Sequence, residues 1–125
     1  MKRIEIIGIE GMPEIKQGDD LPTLIYHHAL KQGLTFQDGD VVVVSQKIVS
    51  KAEGRVVDLS TIKPTPQALE IAKLSRRDPR YVELALREAR SIVKNLRGHL
   101  ITETKHGWIY SYSGVDVSNV AGGSA

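Results

Sequence analysis

The sequence predicts a mixed α/β (α+β) fold, in which helices pack on a mixed sheet, within a single domain over residues 1–125. Segments rich in β-branched residues alternate with segments whose apolar residues recur at helical spacing. Their order is β, α, β, β, α, α, β, β, which differs from the regular alternation of a parallel α/β fold. A chain of 125 residues can bury one ordinary core and is too short for two well-formed domains.

The first strand and the first helix are predicted near the start of the chain. β-branched residues alternate over residues 3–9 and stop at Gly11, which is typical of a strand that enters a loop. The helix that follows has Asp20 as its N-cap and Pro22 in its first turn, and Gly33 ends it.

Two further strands and a second helix are predicted in the middle of the chain. Residues 40–45 form a continuous apolar run after a turn, which predicts a central strand covered on both faces. Residues 54–59 predict a shorter strand. Thr65 and Pro66 then give the cap and the first residue of a helix.

The longest helix is predicted from Asp78-Pro79 to about Gly98, because a cap and a proline precede an apolar stripe. The stripe consists of Val82, Ala85, Ala89, Ile92, Val93 and Leu96. The charged residues on the opposite side are expected to form a solvated face: Glu83, Arg87, Arg90, Lys94 and Arg97.

A β-hairpin and a loop of small residues are predicted last. Residues 100–104 and 108–110 read as strands joined by a turn at 105–107. The following loop presents Asp116 and Asn119. Aspartate is a hard oxygen ligand suited to Mg²⁺ or Mn²⁺, and an asparagine amide can bind phosphate or ribose oxygens. By spacing alone, such a loop can equally hydrogen-bond its own backbone.

Composition and motifs exclude several classes of function. The chain contains no cysteine, so disulfides and thiolate metal sites are impossible, and a net charge of +2 is too small for a dedicated nucleic-acid binder. No signal sequence or apolar run of about 18 residues is present. The four histidines and the serines suggest neither a metal site nor a hydrolytic triad. We therefore expect a cytoplasmic protein without nucleic-acid or membrane partners.

Two loops are candidates for anion binding. Residues 45–51 follow the predicted central strand and place Lys47 and Lys51 at its carboxyl end, where α/β folds often bind ligands. A phosphate site and a solvated turn are both compatible with this position. Residues 11–18 are either an ordinary connection or a ligand-binding loop. Neither a Walker motif nor a dinucleotide fingerprint is present.

Three segments together resemble one known family. They are residues 10–21, residues 38–55, which end in Ser-Lys-Ala-Glu-Gly-Arg, and residues 114–120, which read Gly-Val-Asp-Val-Ser-Asn-Val. In order and spacing they resemble the coenzyme F-420-0:L-glutamate ligase (γ-glutamyl ligase) family. The resemblance covers nearly the whole chain.

The resemblance implies a GTP-dependent amide ligase that adds L-glutamate through its amine to the deazaflavin coenzyme F-420 precursor, by way of an acyl phosphate. It implies Mg²⁺ or Mn²⁺, with K⁺ as a further cation, and a homodimer. It assigns GTP binding to Met12, Pro13, Glu14, Ile15, Gln46, Lys47, Lys51 and Asn119. It assigns metal binding to Asp116 and leaves the catalytic residues unknown.

The chain departs from the family pattern in two ways. Gln46 and Lys47 stand where some members have small hydroxyl residues. The resemblance also covers only the N-terminal portion of a larger ligase fold, with the C-terminal half absent. We therefore expect little or no activity from this chain alone. Three hypotheses remain: part of the ligase, a non-catalytic nucleotide-binding half-domain, or a self-associating fragment with an incomplete site.

Overall fold

The computed structural model describes residues 1–117, which fall into two compact units. The first unit is Met1–Arg55, and the second is Val56–Ala125, described as far as residue 117. The described part contains four α-helices and a three-stranded sheet, which confirms the mixed α/β class. A mixed sheet was predicted, but both pairings in the described sheet are antiparallel. No helix among residues 1–117 is long and apolar enough to cross a membrane.

The first unit contains the helices α1 (Leu21–Lys31) and α2 (Gln46–Ala52). Helix α1 begins where the sequence predicted, since the Asp20 carboxylate accepts hydrogen bonds from the Thr23 backbone N–H at 3.2 Å and the Thr23 hydroxyl at 2.7 Å. Helix α2 was not predicted. It occupies the segment after the predicted central strand, for which a phosphate site and a solvated turn were both left open.

The strands predicted at residues 3–9 and 40–45 are wrong. Neither segment forms a strand, and most of their side chains are exposed: Ile6 is 93% exposed and Val43 is 89% exposed. Residues 40–45 are therefore not a central strand of a sheet, and they are not covered on both faces. A β-branched sequence favours extended backbone, but a strand also needs a neighbour for its N–H and C=O groups. No described segment pairs with either run.

The strand predicted at residues 54–59 is reduced to an isolated bridge at Asp58, followed by a short 3₁₀ helix, Leu59–Thr61. The Asp58 carboxylate accepts a hydrogen bond from the Ser60 backbone N–H at 2.8 Å and caps this turn. When an aspartate side chain accepts a hydrogen bond from the backbone N–H two residues later, the chain favours a turn over a β-strand.

The second unit packs α3 (Pro66–Ser75) and α4 (Pro79–Glu88) on the sheet formed by β1 (Ala89–Leu96), β2 (His99–Thr104) and β3 (Ile109–Ser111). Both helices begin at their predicted cap and proline, and the hairpin of β2 and β3 is confirmed. The main core consists of Ala68, Ile71, Ala72, Val82, Ala85, Leu100 and Tyr112. A smaller cluster contains Leu59, Ile62 and Leu84.

The helix predicted to reach Gly98 ends ten residues earlier, because its last part is the strand β1. Ile92 lies opposite Thr102 of β2 in an antiparallel ladder. The apolar spacing of residues 89–96 fits a helix, but β-branched Ile92 and Val93 also suit a strand, and pairing with β2 decides between them. The solvated charged stripe is wrong for the same reason, and its first member, Glu83, is buried.

Candidate functional site

The first unit brings two predicted nucleotide contacts together. The Lys51 ammonium of α2 lies 2.5 Å from a carboxylate oxygen of Glu14, a residue 37 positions earlier in the chain. The Lys51 side chain is only 25% exposed, whereas the Glu14 side chain is 77% exposed. Ile15 is buried beside Glu14 in the sequence and anchors this loop. The loop and the end of α2 therefore form one local surface.

The run Ser-Lys-Ala-Glu-Gly-Arg encodes the end of α2. The Gly54 N–H donates to the Lys51 carbonyl at 3.0 Å, and the Arg55 N–H donates to the Ser50 carbonyl at 2.8 Å. These two bonds form a Schellman motif, which requires a residue with positive φ, and Gly54 has φ +68°. The Gly18 N–H donates to the Ala52 carbonyl at 2.8 Å and ties the preceding loop to the same helix end.

Gly54→Ala is expected to destabilise the first unit by about 1–2 kcal/mol, because an L-residue is strained in the left-handed region. A Cβ at this position would also lie 2.5 Å from the Gln17 side chain, which must then move. Gly8→Ala is the matched control, since its Cβ would meet nothing within 4 Å. Urea unfolding of both variants measures the difference. Equal unfolding midpoints for the two would contradict a structural role of Gly54.

The other residues of the first unit that were predicted to bind GTP are close in sequence to Glu14 and Lys51. Gln46 and Lys47 form the first turn of α2, where the Ser45 hydroxyl accepts a hydrogen bond from the Lys47 backbone N–H at 3.3 Å. Met12 is half-buried and Pro13 is exposed. The hydrogen bond and the charge of Lys51 lower the pKa of Glu14, so its carboxylate stays ionised at neutral pH.

An apolar cavity of about 760 Å³ also lies in the first unit. Its lining consists of Asp19, Asp20, Leu21, Pro22, Ile25, Tyr26, Phe36, Val42, Val44, Val49, Ala52 and Glu53. None of the residues predicted to bind GTP lines it. A polyphosphate needs cationic or N–H donors, and the charged residues of this cavity are all acidic, so the cavity does not suit the phosphates of a nucleotide.

The second unit contains Asp116, which is exposed near the end of the described chain. Asn119 lies outside the described residues. Within residues 1–117, no group of three or more His, Cys, Asp or Glu side chains could hold a metal ion. Mg²⁺ is commonly held by one or two carboxylates together with waters and substrate phosphates. An exposed Asp116 can therefore supply one oxygen ligand to a metal ion, but it does not form a complete metal site by itself.

The backbone before Asp116 is unusual. Tyr112, Ser113 and Gly114 all have positive φ, at 49°, 55° and 72°. The Ser113 hydroxyl donates to the Ala85 carbonyl of α4 at 2.7 Å, and the Ser113 N–H donates to the Thr102 hydroxyl at 2.9 Å. A loop of small residues was predicted here, but the partners of Ser113 lie 28 and 11 residues away and left no signal in the sequence.

Tyr81 of α4 was also missed by the sequence prediction. Its hydroxyl donates to the Val115 carbonyl at 3.2 Å, and its ring lies against that of Tyr112 with 5.1 Å between centroids. Burial raises the pKa of Tyr81, and the negative charge of Asp116 raises it further. The Arg77 guanidinium lowers this pKa, but its effect is smaller than that of burial. The phenol is therefore protonated at neutral pH and can act as the donor.

Comparison with known proteins gives consistent matches. A profile described as F420-0:Gamma-glutamyl ligase matches residues 9–125. The coenzyme F420:L-glutamate ligase of Methanothermobacter thermautotrophicus is 42% identical over 122 residues, which is 98% of this chain and 48% of the relative. The enzyme of the same name from Methanocaldococcus jannaschii is 40% identical over 121 residues, which is 95% of this chain and 46% of the relative. The chain thus spans about half the length of the curated relatives it matches.

Proposed function

The chain belongs to the F420-0:gamma-glutamyl ligase family, and we propose that it carries the nucleotide-binding part of a GTP-dependent ligase site. The proposed reaction joins L-glutamate to the deazaflavin coenzyme F-420 precursor through an amide bond. The observation that supports this role is the contact between Lys51 and Glu14, since it joins two segments assigned to GTP by the family resemblance.

The proposed chemistry has two steps. A carboxylate oxygen of the acceptor attacks the γ-phosphorus of GTP, so an O–P bond forms, the bond to the β-phosphate oxygen breaks, and GDP leaves. The amine of L-glutamate then attacks the acyl carbon, phosphate leaves with the C–O bond electrons, and the amine proton passes to solvent. Negative charge gathers around the phosphoryl group in the first step, and fixed positive charge stabilises it.

Lys51 is suited to this task because its position is fixed before any nucleotide binds. The Schellman motif sets its backbone, and Glu14 holds its ammonium. A phosphate would compete with Glu14 for this ammonium, and the loop would adjust as GTP binds. Lys47 would add a second cation from the first turn of α2. In the second unit, Asp116 would supply one oxygen ligand to a divalent ion, and in phosphoryl transfer such an ion neutralises phosphate charge.

A second candidate function is nucleotide binding without turnover. The observation in its favour is the contact between Lys51 and Glu14, which fits nucleotide binding whether or not turnover follows. A turnover assay with GTP, Mn²⁺, L-glutamate and the deazaflavin precursor separates the two candidates. Formation of γ-glutamyl product would support the ligase, and GTP binding without product would support the second candidate. Sedimentation of the chain tests the proposed homodimer.

The metal role of Asp116 is tested by titrating GTP into the chain with and without Mn²⁺. We expect Mn²⁺ to strengthen GTP binding in the wild type and to have no such effect in Asp116→Asn, which keeps the size of the side chain but removes its charge. Asp38→Asn is the control, as another exposed aspartate. Equal Mn²⁺ enhancement in wild type and Asp116→Asn would contradict the proposed ligand.

A further inference from the structure

The turn before Asp116 is held in a conformation that its residues disfavour. Tyr112 and Ser113 are not glycines, yet both have φ near +50°. A left-handed residue with a Cβ costs about 1–2 kcal/mol, so two in succession persist only where surrounding contacts hold them. The turn is therefore set by its neighbours and not by its own preference.

The contacts that hold this turn come from three elements of the second unit. The Ser113 hydroxyl donates a hydrogen bond to the Ala85 carbonyl of α4. The Ser113 N–H donates to the hydroxyl of Thr102 in β2, and the Thr102 side chain is fully buried. The Tyr112 hydroxyl donates to the Gly98 carbonyl, between β1 and β2, at 2.7 Å. These bonds fix Tyr112 and Ser113, but they end three residues before Asp116.

Tyr81 supplies the contact that continues toward Asp116. Its hydroxyl bonds the carbonyl of Val115, and this carbonyl shares one planar peptide group with the N–H of Asp116. Holding the Val115 oxygen therefore also fixes the orientation of the Asp116 N–H and the position of its Cα, from which the carboxylate side chain extends. The Tyr81 ring is itself held against Tyr112, and the Arg77 guanidinium lies over both rings.

We infer that Tyr81 is a positioning residue, whose hydroxyl holds the peptide between Val115 and Asp116 so that the carboxylate is preorganised to bind a divalent cation. This inference rests on the proposed function, which makes Asp116 a metal ligand. It adds a residue of α4 that neither the sequence motifs nor the family resemblance assigned. Preorganised ligands bind more tightly because less conformational freedom is lost on binding.

The test compares Tyr81→Phe with Tyr110→Phe, which removes an exposed hydroxyl from β3 of the same unit. Mn²⁺ binding is followed by electron paramagnetic resonance at a temperature where circular dichroism shows all proteins folded. Tyr81→Phe is expected to weaken Mn²⁺ binding by up to about fivefold, because the ordering that this hydrogen bond supplies before binding would then be lost on binding. Tyr110→Phe is expected to bind like the wild type. Unchanged Mn²⁺ affinity in Tyr81→Phe would overturn the inference.

A second readout separates this inference from the proposed function. Amide hydrogen exchange at residues 115–117, measured without metal, is expected to be faster in Tyr81→Phe than in wild type, while exchange within α3 stays the same. Absence of Mn²⁺ binding by the wild type would contradict the proposed metal role of Asp116 alone. Unchanged exchange at residues 115–117 in Tyr81→Phe would overturn the positioning role, whatever the metal result.

Discussion

Lys51→Ala is expected to weaken GTP binding about 10- to 100-fold, because hydrogen bonds to charged groups contribute about 1.5–3 kcal/mol. The Lys51 side chain is only 25% exposed and its ammonium is held by Glu14, so it offers a positive charge of fixed position to a phosphate. Its loss removes both the charge and the link between α2 and the loop at Glu14. Isothermal titration of GTP into both proteins measures the change in affinity.

Lys31→Ala is the matched control for this prediction. Lys31 is an exposed lysine in the last turn of α1, so its replacement changes the net charge of the first unit by the same amount. We expect its GTP affinity to stay within about twofold of the wild type, since exposed charges are screened by solvent and salt. An equal loss in both variants would indicate a general charge effect and would contradict a specific contact at Lys51.

Glu83→Ala is expected to lower the free energy of unfolding of the second unit by about 1–3 kcal/mol, since it removes a buried carboxylate that accepts three hydrogen bonds. The Glu83 carboxylate accepts hydrogen bonds from the Thr65 N–H at 2.9 Å, the Thr65 hydroxyl at 2.8 Å and the Arg87 guanidinium at 3.0 Å. It therefore joins the cap of α3 to α4. Glu70→Ala, at an exposed position of α3, should change stability by no more than about 0.5 kcal/mol in urea unfolding.

The same carboxylate gives the stability a defined pH dependence. Burial by itself raises the pKa of Glu83, but the hydrogen bonds from Thr65 and Arg87 outweigh burial and lower the pKa below its ordinary value. A carboxyl with a depressed folded-state pKa stabilises the fold above its unfolded-state pKa, and this contribution is lost as the pH falls through the folded-state pKa. The stability difference between wild type and Glu83→Gln should therefore shrink below the ordinary glutamate pKa. A difference that stays constant through this acid range would contradict the shift.

The helix starts could be predicted from the sequence because their signals are local. Asp20, Thr65 and Asp78 each cap a helix whose first turn contains a proline, and all three side chains bond a backbone N–H within three residues. The strands at residues 3–9 and 40–45 could not be predicted reliably, because strand formation depends on a partner elsewhere in the chain. Residues 89–96 fit both periodicities, and only their pairing with β2 decides between them.

The candidate site was predictable only in part. The resemblance selected Glu14 and Lys51, but their contact depends on a Schellman motif and on a loop anchored by the buried Ile15, which together bring distant residues close. Gly54 did carry a local signal, since glycine is common just after a helix end. Tyr81 and Ser113 carried none, because their partners are carbonyl and hydroxyl groups far away in the sequence, and any residue type can supply a carbonyl.

The central claim, that this chain binds GTP through the loop at Glu14 and through α2, is tested most directly by a GTP titration of the ¹⁵N-labelled chain with amide resonances followed by NMR. We predict saturable shifts that are largest at residues 12–15 and 46–51, with small changes in α3 and α4. Shifts centred on the apolar cavity or on the second unit, or no shifts at millimolar GTP, would contradict the claim.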